Sequence, residues 1–183
     1  MRRLPILARL LAGIAAMATV AAAASIDAAA RTEADAALKA AFVHNFVKFT
    51  EWPEDVLAPG DTIVVCVGNP EVATALERAV AGQRINDHGL RVRRVTTGDP
   101  ADGCAAAYLS GVDARLLPGV LTAFARTGTL TVSDDPRFAE RGGIVGLFVE
   151  DGRIRFAVNV SAAARSRLRL SSQLLGLARI VRD

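Results

Sequence analysis

The sequence predicts an α/β fold: a single-domain mixed β-sheet flanked by helices, with a C-terminal β-hairpin and a terminal helix. Three observations predict it. Short β-branched runs alternate with helical periodicities through the first two-thirds of the chain, which requires crossovers and parallel pairing. The pair Asp151-Gly152 separates two alternating runs, a hairpin signal. No internal repeat, low-complexity tract or linker divides the 183 residues.

The elements follow in chain order. A helix begins at Asp35, with Leu38, Phe42, Phe46 and Phe49 lining one face at helical spacing. It ends at Trp52-Pro53, because the residue before proline is driven out of the helical region. Thr62 to Val67 reads as a buried strand, being a continuous β-branched run. Asn69-Pro70-Glu71 then supplies an N-cap, a proline suited to the first turn and an acid that complements the dipole. The helix it opens buries Val72, Ala75, Leu76, Ala79 and Val80 and stops at Gly82. Leu90 to Val95 and Cys104 to Ser110 are the next strands, with Gly98-Asp99-Pro100 a turn between them. A helix spans Val112 to Arg126 with a break expected near Pro118, and Thr129 to Ser133 is a strand. Asp134-Asp135-Pro136 caps a helical turn ending near Arg141. The hairpin runs Ile144 to Val149 and Ile154 to Val160, and a last helix runs Ser172 to Val181 with Ser171 as its cap.

The N-terminus predicts export. Arg2, Arg3 and Arg9 precede an apolar segment, Leu10 to Ala24, and Ala22-Ala23-Ala24 before Ser25 satisfies the small-x-small cleavage rule. An apolar run of about 15 residues falls short of the roughly 20 needed to cross a bilayer. Residues 1–24 are therefore read as a signal peptide, 25–34 as a disordered leader and 35–183 as the folded domain. The whole chain carries a net charge of +3, but residues 1–24 hold three arginines and no acid. Cleavage leaves 19 basic and 19 acidic residues, without the basic excess of a nucleic-acid binder. Cys66 and Cys104 are the two cysteines. In an oxidising compartment an even pair reads as a disulfide, the alternative being two separate buried thiols. Two cysteines alone do not make a zinc site.

No catalytic constellation, metal site or cofactor motif is expected. His44 and His88 belong to no ligand pattern, and Ser110 lacks the glycines of a nucleophile elbow. Gly68-Asn69-Pro70 lies where phosphates bind in open α/β sheets but has neither the glycine spacing nor a P-loop lysine. Asp134, Asp135 and Glu140 crowd one loop, where helix capping accounts for them better than a cation does. One asymmetry remains. Residues 152–183 hold seven arginines and a single acid, with Arg165, Arg167 and Arg169 alternating with Leu168 and Leu170. Such a segment suits an acidic partner or a solvated face.

Two segments resemble the YfiR family. They are residues 40–53, AAFVHNFVKFTEWP, and residues 131–160, TVSDDPRFAERGGIVGLFVEDGRIRFAVNV, continued by 161–181, SAAARSRLRLSSQLLGLARIV. The strand Ile63 to Gly68 and the turn Gly82-Gln83-Arg84-Ile85-Asn86 also match, so the resemblance covers residues 36–182. It implies a periplasmic α/β protein that acts by binding and is not an enzyme. The family's named member represses an inner-membrane diguanylate cyclase through its periplasmic sensor domain, and its release raises cyclic-di-GMP and favours biofilm. The resemblance further implies a homodimer, with redox control through disulfides. Cys66 and Cys104 fall at a cysteine pair of the family, whereas a second pair carried by some members near the hairpin is missing, and His44 stands where tyrosine is common. A binding regulator needs exposed apolar and arginine anchors. The expected ones are Val43, Val47 and Lys48 on the first helix and Leu168, Arg169 and Leu170 near the C-terminus. The alternative is a periplasmic small-molecule sensor module that takes a ligand at the sheet's carboxyl-end crevice and feeds a histidine kinase.

Overall fold

A computed structural model describes residues 29–96, 99 and 102–182. The expected signal segment 1–24 and residues 25–28 of the expected leader lie outside the described residues. Positions 29–34 of the expected leader are helical: the first helix, α1, occupies 29–48 and is already formed at the first described residue. Alanine-rich sequence with one acid-to-base spacing of four, Asp35 to Lys39, explains the extension. No helix among the described residues is long and apolar enough to cross a membrane.

The elements after α1 are β1 (Thr50–Glu51), β2 (Ile63–Val67), α2 (Pro70–Val80), β3 (Arg84–Ile85), β4 (His88–Arg94) and β5 (Ala106–Tyr108). They continue with α3 (Leu117–Arg126), β6 (Leu130–Ser133), a 3-10 turn (Ala139–Arg141), β7 (Val145–Glu150) and β8 (Arg153–Asn159). The chain closes with α4 (Val160–Arg165), β9 (Arg169–Leu170), α5 (Ser172–Leu175) and β10 (Arg179–Val181). Eight strands form one mixed sheet in the order β10-β8-β7-β6-β5-β2-β4-β3, and β1 pairs with β9 in a separate ribbon. The run β4-β2-β5-β6-β7 is parallel, and β7–β8 and β3–β4 are antiparallel.

Local sequence accounts for most of these boundaries. Asn69 caps α2, its side chain accepting from the Val72 backbone N–H at 2.8 Å, and Pro70 opens the helix. Pro118 sits in the first turn of α3, so the expected break is in fact the helix start. Asp151 and Gly152, at φ of 50° and 71°, form the two-residue loop between the paired Glu150 and Arg153, which is the geometry of a type I′ turn. Asn86 at φ 52° performs the same service in the short β3–β4 hairpin.

Helices cover both faces of the sheet. Along β2, Ile63, Val65 and Val67 point toward α1 and α2, where they meet Val43, Val47, Val72 and Leu76. The intervening Val64 and Cys66 point the other way, toward Leu117 and Phe124 of α3. The face of α1 that is buried coincides with the expected one at Phe46, which is 1% exposed, and otherwise differs from it. Ala36, Ala40, Val43 and Val47 lie against the sheet, whereas Leu38 is 46% exposed and Phe42 and Phe49 are only partly buried. The small Ala36 and Ala40 form the N-terminal half of this stripe, and the larger aromatics pack at its flank. Phe42 and Phe46 reach Phe156 of β8 at centroid distances of 6.2 and 5.0 Å.

The expected terminal helix from Ser172 to Val181 is confined to α5, which Ser171 caps through a 3.2 Å bond from the Leu174 N–H. Beyond Gly176 the chain turns into β10, whose Ile180 pairs beside Val158 of β8. β-Branched Ile180 and Val181 suit a strand better than a fourth helical turn.

Candidate functional site

The ribbon brings together the two sequence segments expected to carry recognition. Thr50 pairs with Leu170 and Glu51 with Arg169. Each side of the ribbon is tied to the body of the protein. The Thr50 hydroxyl donates to the Phe46 carbonyl at 2.7 Å, and the Trp52 indole N–H donates to the Ala105 carbonyl at 2.9 Å. The Ser171 N–H reaches the Phe49 carbonyl at 3.0 Å. Because Ala105 immediately precedes β5, the ribbon lies at the amino-terminal ends of the parallel strands.

Of the six expected anchors, the ribbon displays some and withdraws others. Lys48 is exposed, with its ammonium 5.7 Å from the Phe49 ring centroid. Arg169 is exposed and lies 3.8 Å from the Glu51 carboxylate. Leu170 is half-buried. Val43, Val47 and Leu168 are not exposed as expected: all three sit in the main core at no more than 5% exposure. Valines at i and i+4 on α1 line the stripe that meets the sheet, and Leu168 points inward because Arg167, at φ 56°, turns the backbone between α4 and β9. Two charged residues that sequence reasoning did not single out complete the surface: Glu51, and Asp55, whose carboxylate accepts from Arg167 at 2.8 Å. Neither carries a sequence signal, since each is defined by a partner more than a hundred positions away.

A groove of about 590 Å³ adjoins the ribbon, lined by Asp55, Arg91, Cys104, Arg126, Thr127 and Arg167 among others. At its wall Cys66 and Cys104 form a disulfide, with Cα atoms 5.7 Å apart and both residues buried. This realises the paired reading of the two cysteines. The bridge ties β2 to the segment entering β5 on the α3 side of the sheet. Arg93 of β4 lies in register with Cys66 and places a guanidinium N–H against the Cys104 sulfur, at 2.8 Å.

The opposite end of the sheet carries a charged cluster. At the carboxyl ends of β5 and β6 the Lys39 ammonium lies 2.8 Å from Asp35 and 2.9 Å from Asp134. Burial pushes the Asp134 carboxyl up, but the hydrogen bond and charge of Lys39 outweigh it and hold the group below the ordinary carboxylate range. Burial likewise opposes the charge on Lys39, and its two carboxylate partners more than compensate, leaving it above the usual lysine value. Tyr108 is fully buried beneath this cluster, and burial, then the Asp134 charge, keeps its phenol protonated far above its ordinary value. The arrangement locks α1 onto the sheet.

A depressed carboxylate stabilises the fold above its unfolded pKa of about 4, and that contribution disappears as pH falls through the folded value. Asp134→Asn is therefore expected to cost about 1–2 kcal/mol at pH 7. The gap between wild type and variant should close on acidification below about pH 4. Urea midpoints collected from pH 7 to pH 2.5 check this, and parallel profiles would refute it. Lys39, being raised, contributes fully below 10.5 and loses that contribution as pH rises through its folded value.

The acids expected to cap the turn before β7 are ion-paired. Asp135 pairs with Arg141 at 2.9 Å, and Glu140 lies 3.9 Å from Arg179, so each acid of that loop has a base beside it. Among the described residues no three His, Cys, Asp or Glu side chains gather as metal ligands would. His44 sits half-buried on α1, where burial and then the nearby Lys48 charge favour its neutral form.

The family described as YfiR/HmsC-like matches residues 36–179 of the chain. Among solved structures, the chain is similar to a conserved domain protein from Vibrio cholerae O1 biovar El Tor strain N16961, at 15% identity and a TM-score of 0.47. That likeness covers 71% of this chain and 57% of the other, so the chain spans little more than half of that protein's length.

Proposed function

The chain belongs to the YfiR/HmsC-like family, and from that premise we propose that it is a periplasmic regulator which binds and represses the periplasmic sensor domain of an inner-membrane diguanylate cyclase. Family membership over residues 36–179 is the observation that carries the reading. Residues 1–24 direct export and are removed, and the folded domain acts as a homodimer, by binding and without turnover. Cyclic-di-GMP synthesis, and with it biofilm formation, rises when the regulator is released.

The ribbon of β1 and β9 is the proposed docking surface. Its support is geometric: Lys48 and Arg169, from segments far apart in sequence, are displayed on the same ribbon and its entry, with Glu51 and the half-buried Leu170 beside them. Exposed arginine flanked by partly buried apolar groups is the composition of interface hot spots. The disulfide stands next to this surface, across the groove that Arg167 and Cys104 share, which supports redox control of binding.

Pull-down with the periplasmic domain of a genomically neighbouring cyclase, with and without reductant, tests the proposal. Capture by the oxidised protein is expected, with affinity lowered about tenfold or more in the variant K48E/R169E. Absence of capture in both redox states would remove the repressor reading, and capture of a histidine kinase sensor domain instead would redirect it.

A further inference from the structure

The contact between Arg93 and the disulfide extends the redox part of the proposed function to a specific chemistry. Arg93 and Cys66 are register partners on neighbouring parallel strands, so their side chains leave the sheet on the same face. From there the Arg93 guanidinium reaches two groups of the segment entering β5, the Asp102 carbonyl at 2.8 Å and the Cys104 sulfur at 2.8 Å. Cys104 is also the half of the bridge that lines the open groove, whereas Cys66 is fully buried. Arg91, one pleat before Arg93, and Arg126 of α3 line the same groove and carry no ion pair among the described residues.

We infer that Arg93 poises the Cys66–Cys104 bridge for exchange with a dithiol reductant that enters along this groove. A thiolate, not a thiol, is the attacking species, and guanidinium groups around the path raise its local concentration. The thiolate attacks the Cys104 sulfur and forms a mixed disulfide, while Cys66 leaves with the electron pair and takes a proton from water. The second thiolate of the reductant then attacks its own sulfur in the mixed disulfide and releases Cys104 as a thiolate beside Arg93. Two electrons pass from the dithiol, which ends as a disulfide, to the protein, which ends with two reduced cysteines. Arg93 acts on both steps: its charge draws the incoming thiolate to the Cys104 sulfur in the slower, intermolecular step, and it then stabilises the departing Cys104 thiolate in the second. The buried Cys66 has no such help. The bridge is thereby asymmetric: attack is directed to one sulfur and the product is stabilised at that same sulfur.

The test uses the full mature chain in its oxidised form. Reduction by dithiothreitol is followed by alkylation and mass measurement at several times, for wild type, Arg93→Gln, Arg93→Lys and Arg91→Gln. Arg93→Gln is expected to be reduced about fivefold more slowly, with Arg93→Lys between it and wild type because the charge is kept without the fork. Arg91→Gln should slow the reaction too, by about twofold and less than Arg93→Gln, since Arg91 adds charge at the entry without touching sulfur. If Arg93 served only to hold the loop, its loss would expose the bridge and reduction would become faster. A faster or unchanged rate in a variant with wild-type circular dichroism overturns the inference. The readout concerns the bridge alone, so its failure leaves the partner-binding proposal standing, and failure of the pull-down leaves this inference intact.

Discussion

Breaking the Cys66–Cys104 bridge is expected to lower stability by about 4 kcal/mol, judged from the entropy of closing a loop between residues 38 positions apart. That is a large share of the 5–15 kcal/mol typical of a domain. For a domain of this size it corresponds to a melting point lower by about 10 °C. Both cysteines are buried, and the bridge fixes the entry to β5 against the centre of the parallel sheet. The double variant Cys66→Ala/Cys104→Ala removes the bridge without leaving free thiols behind. Urea denaturation of the oxidised protein, the reduced protein and the double variant should give one high midpoint and two similar low ones. Coincident midpoints for all three would show that the bridge does not constrain the unfolded chain as argued.

Phe46→Ala is the second large effect. The ring is 1% exposed and packs 5.8 Å from Phe42 and 5.0 Å from Phe156 between centroids. Truncating a buried phenylalanine costs about 3–5 kcal/mol, the lost transfer energy plus the cavity left behind. The Phe46 carbonyl also accepts from the hydroxyl of Thr50, the first paired residue of the ribbon. Loosening this end of α1 is therefore expected to weaken partner capture as well as stability. Leu38→Ala is the control. It lies on the face expected from sequence to be buried but is 46% exposed, so its loss should cost no more than about 0.5 kcal/mol. Equal destabilisation by the two variants, measured by thermal melts, would mean that α1 packs through its other flank.

The contrast between these two residues locates the limit of sequence reasoning. Whatever is fixed within a few residues was legible: the Asn69 cap and Pro70, the Asp151-Gly152 turn, the Ser171 cap, and the continuous apolar run of β2. The family resemblance and the paired reading of the cysteines were legible too. Features set by distant partners were not. β1 and β9 are two residues each and exist only because they pair with one another. Nothing in TE or RL marks a strand in isolation, so the ribbon was invisible while its two halves were separately suspected. The rotation of α1 is not legible because large aromatics weigh most in a periodicity, whereas the buried stripe includes the small Ala36 and Ala40. Arg93 reaches Cys104 through a register between parallel strands that a helix separates, and local spacing carries no record of such a register.

The pairing of β1 with β9 has a consequence for how the protein comes into being. Arg167 and Asp55 are 112 positions apart, and Lys39 and Asp134 are 95 apart. A polypeptide made and delivered from its N-terminus presents α1 first, long before the strands that bury its apolar side have emerged. Contacts of such long sequence separation slow folding. During that interval the apolar side of the newborn helix stays uncovered, so the unfinished chain is most prone to aggregation before its last strands arrive.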